Sequence, residues 1–152
     1  MSVLTTAYSI SPKMMRKIRR DYDCLESIFE EDSDWKVEFY CFDKGWEETI
    51  GILGECGFEK TYAKLQTEDY LDYDGYDIWT VTPAAVKMAD KDLETANFEE
   101  LKAAGLAKNV TDYYGKPIPE YLYSYYVGDI KEIKKFIRKA AANGNYLLFA
   151  TA

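Results

Sequence analysis

The chain contains no histidine. That removes the commonest general base and the commonest transition-metal ligand. It also excludes every nucleophile pair in which a serine or cysteine is activated by an imidazole. Cysteine is sparse: Cys24, Cys41 and Cys56 are odd in number and lack CxxC spacing. They read as reduced thiols of a cytoplasmic protein rather than as a disulfide framework or a metal knuckle. No apolar run approaches the roughly 20 residues that a membrane-spanning helix needs. The N-terminal stretch shows no charged segment leading into an apolar one, so no secretory signal is expected. Asn109-Val110-Thr111 fits a glycosylation sequon but carries no meaning without such a signal. These absences point away from a membrane protein, a metal or other cofactor, and histidine-based catalysis.

What is present is acid and tyrosine. Asp plus Glu total 27 against 19 Lys plus Arg, a formal charge of −8, and tyrosines number 14. A field of that sign disfavours nucleic acid and anionic membrane and favours a basic partner. Lys13 to Arg20 form one short basic face, which reads as solvated or as an internal partner for the acids. With 152 residues, 47% of them apolar, the chain is expected to form one domain, residues 1–152, around a real core.

The C-terminal thirty residues are the most legible stretch. Asp129 followed by Glu132 has the form of a capping box and predicts a helix start there. Ile130, Ile133, Phe136, Ile137, Ala140 and Ala141 recur at helical spacing, and Asn143-Gly144-Asn145 is a stop. Tyr146 to Ala150 is almost wholly apolar, which suits a strand covered on both faces. Upstream, Ser2 to Ile10 reads as a strand and Ser11-Pro12 as a helix start. A basic half followed by an acidic half predicts a break near Arg20–Asp23. Trp35 to Phe42 alternates like a strand, the alternative being an irregular apolar link into the next helix, and Asp43 is placed as N-cap of a helix over Lys44 to Gly54 with Trp46, Ile50 and Leu53 inward. Ile78 to Val81 is a strand leading into a Thr82-Pro83 helix with Val86, Ala89 and Leu93 inward. A helix begins at Asn97 and is expected to stop near Gly105, and residues 115–119 form a turn-rich linker. The fold class expected is α+β: a small mixed sheet flanked by helices, with a long C-terminal helix followed by a buried strand. Trp46, Ile133, Phe136 and Ile137 are expected to share the core.

Four of these pieces, in this order, carry a resemblance. They are the first strand running into Ser11-Pro12, then Asp43-Lys44-Gly45-Trp46, then Thr80 to Val86, then Ala140 to Asn145 with its apolar strand. Together the chain resembles the YfbM-like family of bacterial proteins, a family of unknown function. The resemblance implies a compact α+β domain and supplies no catalytic residues. Members of that family often carry a histidine just after the tryptophan. Here the segment is Glu47-Glu48-Thr49-Ile50, so a role resting on that histidine has no counterpart.

The functional candidate is residues 68–77, which pack five acids, three tyrosines and a glycine into ten positions. The stretch reads as a surface loop. Asp69, Asp72, Asp74 and Asp77 would supply charge, and Tyr70, Tyr73 and Tyr76 rigid contact area, for a basic protein partner. The plainer alternative is a solvated loop whose tyrosines pack back on the core. A calcium loop fails on pattern: counted from Asp72, position 5 is Tyr76, position 6 is Asp77 and position 12 is Pro83. Tyr113, Tyr114, Tyr121, Tyr123, Tyr125 and Tyr126 form a second aromatic group, more readily core than cage. The expected function is a non-enzymatic, acidic protein-binding module, in its most concrete form a cytoplasmic immunity protein neutralising a bacterial toxin domain. The alternative is a small-molecule binding protein or a carboxylate-dependent hydrolase. A deep pocket with two convergent buried acids would favour the alternative, and a shallow acidic face the binding module.

Overall fold

The computed structural model describes residues 4–30, 36–67, 69–73 and 75–152. Among them run β1 (Thr5–Ile10), α1 (Pro12–Arg20), α2 (Cys24–Phe29), β2 (Phe39–Cys41), α3 (Trp46–Glu55) and α4 (Glu59–Leu65). There follow β3 (Tyr70–Tyr73), β4 (Tyr76–Val81), α5 (Pro83–Leu93), α6 (Phe98–Lys108), α7 (Glu120–Ala142) and β5 (Tyr146–Thr151). The class is α+β. The sheet order is β2-β1-β5-β4-β3, so the C-terminal strand is central.

The expectation of a mixed sheet is corrected, because every pairing is antiparallel. An unbroken apolar run reports burial on both faces but carries no information on strand direction. In β5 the burial is divided by the pleat. Leu147 and Phe149 join Ala7, Val81 and the residues of α3 to α7 on one face. Leu148 and Ala150 join Ile10, Leu71, Ile78 and the residues of α1 and α2 on the other. Sheet and helices therefore stack in three layers, and β5 is sealed in the middle one.

Where a cap side chain meets a free helix end, sequence and structure agree. The Ser11 hydroxyl accepts from the Met14 amide at 3.2 Å, Thr82 from Ala85 at 3.3 Å, and Asn97 from Glu100 at 3.1 Å. α1 ends at Arg20, in the segment where opposed charges predict a break. α7 closes in a Schellman turn: Gly144 takes φ +65°, its amide donates to Ala141, and Asn145 donates to Ala140.

Four expectations are corrected. Asp129 is not a helix start but lies inside a helix of 23 residues that begins after Pro119. Tyr123 and Val127 bury the same face as Ile130, Ile133 and Ile137 and extend the helix upstream. Asp43 does not cap α3; it takes φ +50°, and Gly45 occupies the cap position without a side-chain bond. α6 passes through Gly105 and ends at Asn109, which adopts the left-handed conformation. Of the expected 35–42 strand only Phe39–Cys41 pairs, and Trp35 lies outside the described residues. Trp46, Ile133 and Ile137 do share one core, whereas Phe136 packs against it half-buried.

Candidate functional site

Residues 68–77 are corrected most. They form a β-hairpin, β3 and β4, paired Tyr70↔Trp79, Leu71↔Ile78, Asp72↔Asp77 and Tyr73↔Tyr76. Gly75, at φ +84°, lies in the connection. The pleat sends the predicted partner residues to opposite faces of the sheet. Tyr73 and Tyr76 lie on the α1–α2 side, against Phe29, with ring centroids 6.2 Å and 4.8 Å away. Asp69 is also engaged on that side. It accepts from Arg19 at 2.9 Å and from the Thr80 hydroxyl. The Thr80 and Arg19 bonds hold its carboxyl below the usual aspartate value. Tyr70, Asp72 and Asp77 have the opposite parity and share the other face with Trp79. Asp74 lies outside the described residues. The seven residues therefore do not make one surface.

Tyr70 and Asp77 instead line a cleft of about 1440 Å³, together with Trp79, Trp46, Glu47, Glu48, Tyr113, Tyr114 and Tyr126. Polar groups come from Thr5, Lys44, Gln66, Thr67 and Thr151. The floor depends on a close approach of α3 to α7. A Cβ at Gly45 would lie 3.0 Å from Cε1 of Tyr126 and 3.4 Å from Oδ2 of Asp129, so glycine lets the start of α3 reach α7. The outer wall is a short turn. Asp112 Oδ1 accepts from the Tyr114 amide at 2.9 Å and the Lys116 amide at 3.0 Å. This presents Tyr113 and Tyr114, 70% and 75% exposed, as an edge-to-face pair. Within the cleft, Phe149 stacks on one face of Trp79 at 5.0 Å, and the indole N–H donates to the Leu65 carbonyl at 2.9 Å. The ring is therefore fixed, and its remaining surface serves the cleft.

Glu48 is the chemically distinctive residue. It lies in the first turn of α3, is 8% exposed, and accepts from the Tyr113 amide through Oε1 at 3.3 Å. Its Oε2 is buried without a hydrogen-bond partner among the described residues. An unbonded buried carboxylate oxygen costs the full desolvation of that atom. Its charge is felt nearby. Partial burial of the Glu47 carboxyl, reinforced by Glu48, pushes Glu47 up although the residue as a whole is exposed. Burial and then Glu48 push the Tyr126 phenol up, which keeps it protonated.

A second buried acid, Asp129, stands behind Gly45. It is 8% exposed, and its Oδ1 accepts from the Tyr40 hydroxyl. Burial raises its carboxyl, and the Tyr40 bond works against that rise. The same site raises the Tyr40 phenol well above its ordinary value, chiefly by burial and then through Asp129. Sequence reasoning took Asp129 for a cap and passed over Glu48. Their signal, a carboxylate on an otherwise apolar helix face, becomes visible only once the helix phase is known.

A smaller groove of about 520 Å³ lies between the start of α6 and α7, bordered by Lys102, Lys131, Glu99 and Ser124. Its Ser124 is already bonded to Lys102 at 3.0 Å. No group of three or more His, Cys, Asp or Glu suited to a metal occurs among the described residues. Among those residues no helix is long and apolar enough to cross a membrane.

The fold and cleft define a class: an antiparallel five-stranded sheet between helical layers, with an acidic, aromatic cleft beside its central strands. The chain belongs to the family described as Domain of unknown function (DUF1877), which it matches over residues 1–150. Its fold is similar to that of the crystal structure of a protein of unknown function, YfbM from Escherichia coli. That similarity has a TM-score of 0.65 at 14% identity and covers 98% of this chain and 99% of that one. No curated protein matches the chain.

Proposed function

We propose that this chain is a non-enzymatic, acidic protein-binding module that receives a basic partner at the cleft rather than at the tip of the hairpin. The observation that supports this is the charge of the lining: the exposed Glu47 and Asp77 and the buried Glu48, set among aromatic rings against a single lysine. Such a site is complementary to positive charge. The aromatic walls supply rigid contact area of the kind that dominates binding energy. A carboxylate-dependent hydrolase needs two acids facing one reacting atom. Of the described acids that line the cleft, Glu48 alone is buried; Asp129, with Oδ1 accepting from Tyr40 and Oδ2 without a partner among the described residues, lies outside the lining. The cleft also exceeds the roughly 300–1,000 Å³ usual for small-molecule pockets. In its most concrete form the module is a cytoplasmic immunity protein that neutralises a toxin domain by covering a basic active site.

The test begins with a tagged copy in its native cells. The co-purified partner is produced separately and titrated calorimetrically against wild type and Glu48→Gln. Loss of affinity of about tenfold or more is expected for the variant, the scale of a hydrogen bond to a charged group. Equal affinities would place the binding surface elsewhere.

A further inference from the structure

We infer that a basic, extended segment of the partner adds to the sheet as a further strand, antiparallel to β3, with alternate side chains on the cleft side; this rests on the binding reading above. β3 is an edge strand. The Thr80 amide donates to the Asp69 carbonyl at 2.9 Å, which continues the β3–β4 ladder by one hydrogen-bonded pair. Bonded and non-bonded pairs alternate along an antiparallel ladder. Leu71↔Ile78 and Tyr73↔Tyr76 are therefore bonded pairs, and Tyr70↔Trp79 and Asp72↔Asp77 are not. The amides and carbonyls of Tyr70 and Asp72 point away from β4, along the open edge. Among the described residues no backbone bond outside the ladder occupies them.

The side chains specify the partner. Tyr70, 64% exposed, lines the cleft, and Asp72 and Asp77 share its parity. Cross-strand neighbours stand about 4.5–5.5 Å apart, so the sheet itself sets which groups meet. Residues of an added strand that bond to Tyr70 and Asp72 present their side chains on the cleft side. A lysine or arginine opposite Asp72 makes an opposite-charge pair and relieves the like-charge pair Asp72↔Asp77. The residue between falls beside Leu71, on the apolar α1–α2 side, and suits a β-branched side chain. Acid along the edge, on a chain of charge −8, disfavours pairing of β3 with a second copy of itself. The opposite edge competes poorly: β2 has three residues, and the neighbouring Glu38 is held by Lys139. Antiparallel addition continues the pairing found throughout the sheet.

The probe is a capped heptapeptide of alternating lysine and valine, with lysine at both ends. Binding is followed by proton–nitrogen correlation spectra and amide exchange. The Tyr70 and Asp72 amides are expected to shift saturably and to exchange more slowly with water. N-methylation of the lysine amides, which face β3, should weaken binding about tenfold or more, and N-methylation of the valine amides should not. Glutamate in place of lysine should abolish binding. Asp72→Pro removes an outward donor that the hairpin's own ladder does not use, so the variant should fold and lose the peptide. Asp72→Lys, which keeps the donor and reverses the charge, should lose it as well. Equal effects of the two methylation patterns, retained binding by both variants, or silence of both amides up to the solubility limit of the peptide would each overturn the inference. Protection of both amides that grows with protein concentration, without peptide, would assign the edge to a second copy and overturn it too. The co-purified partner separates this inference from the binding reading. Weakening by Glu48→Gln with full affinity for Asp72→Pro would overturn the added strand and leave the cleft as the binding surface. Indifference to Glu48→Gln with loss in Asp72→Pro would keep the strand and remove the cleft.

Discussion

At the scale of single residues, the glycine inside α6 shows how tertiary contact overrides a local signal. Gly105 reads as a helix stop, yet the helix continues because the Tyr123 ring lies across it. A Cβ there would meet Cε1 at 2.4 Å, and the Tyr123 hydroxyl donates to the Gly105 carbonyl at 2.8 Å. On an exposed helix, glycine to alanine gains about 1 kcal/mol. Here overpacking reverses the sign, and Gly105→Ala is expected to lose about 1–3 kcal/mol in urea unfolding. A gain would show that Tyr123 moves aside without loss. Asp129 illustrates the same override with a charge. Its local pattern is that of a cap, but its neighbours bury it in mid-helix. A folded carboxyl raised above its unfolded value binds its proton more tightly when folded. Its contribution is therefore complete below the ordinary aspartate value and is lost as pH rises through the raised one. Asp129→Asn lacks that loss, so the stability of the variant relative to wild type should climb with pH across this window. Urea melts between about pH 3.5 and 7 read the difference directly, and parallel profiles would mean that the buried carboxyl does not titrate as its surroundings require.

At the scale of elements, legibility followed burial. Ser11, Thr82 and Asn97 cap exposed helix ends where only the local backbone competes for the side chain, so the sequence names them correctly. β5 was legible because both of its faces are covered and apolar. The β3–β4 hairpin was not, because Leu71 and Ile78 are the aliphatic residues of its inward face among the described residues, and tyrosine and aspartate dominate the positions between them. Those two aliphatic residues flanking Gly75 were the available signal. The cleft was not legible at all, since it gathers residues from positions 5, 44, 46–48, 66–67, 70, 77, 79, 113–114, 126 and 151. The hairpin predicts a division of labour. Tyr73→Ala with Tyr76→Ala removes the packing around Phe29 and should lower stability by roughly 2 kcal/mol or more while leaving partner affinity unchanged. Tyr70→Ala with Asp77→Asn, both exposed and on the cleft side, should change stability by less than about 1 kcal/mol and weaken the partner. Denaturation and titration of the same two proteins separate the faces. If the first pair weakens binding in proportion to the second, the hairpin acts through its tip after all.

At the scale of the whole molecule, the charge of −8 and the cleft act at different stages of one encounter. The diffuse field reaches about 8 Å at physiological salt and acts on partners before contact. It governs how often a basic partner arrives, and it is screened as salt rises. Glu48 is buried beneath the wall and acts after arrival, on how long the partner stays. The exposed Glu47 and Asp77 belong with the field, and Glu48 belongs with the contact. Rim charges act mainly on association rates, and buried hydrogen-bonded charges on dissociation rates. In stopped-flow or surface binding kinetics, Glu47→Gln with Asp77→Asn should therefore slow association and flatten its dependence on salt. Glu48→Gln should speed dissociation by about tenfold and leave the salt dependence of association nearly as it was. The opposite assignment, with Glu48 controlling arrival, would mean that the cleft opens before contact and exposes this carboxylate to the approaching partner. Its 8% exposure and its bond from the Tyr113 amide argue against such an opening.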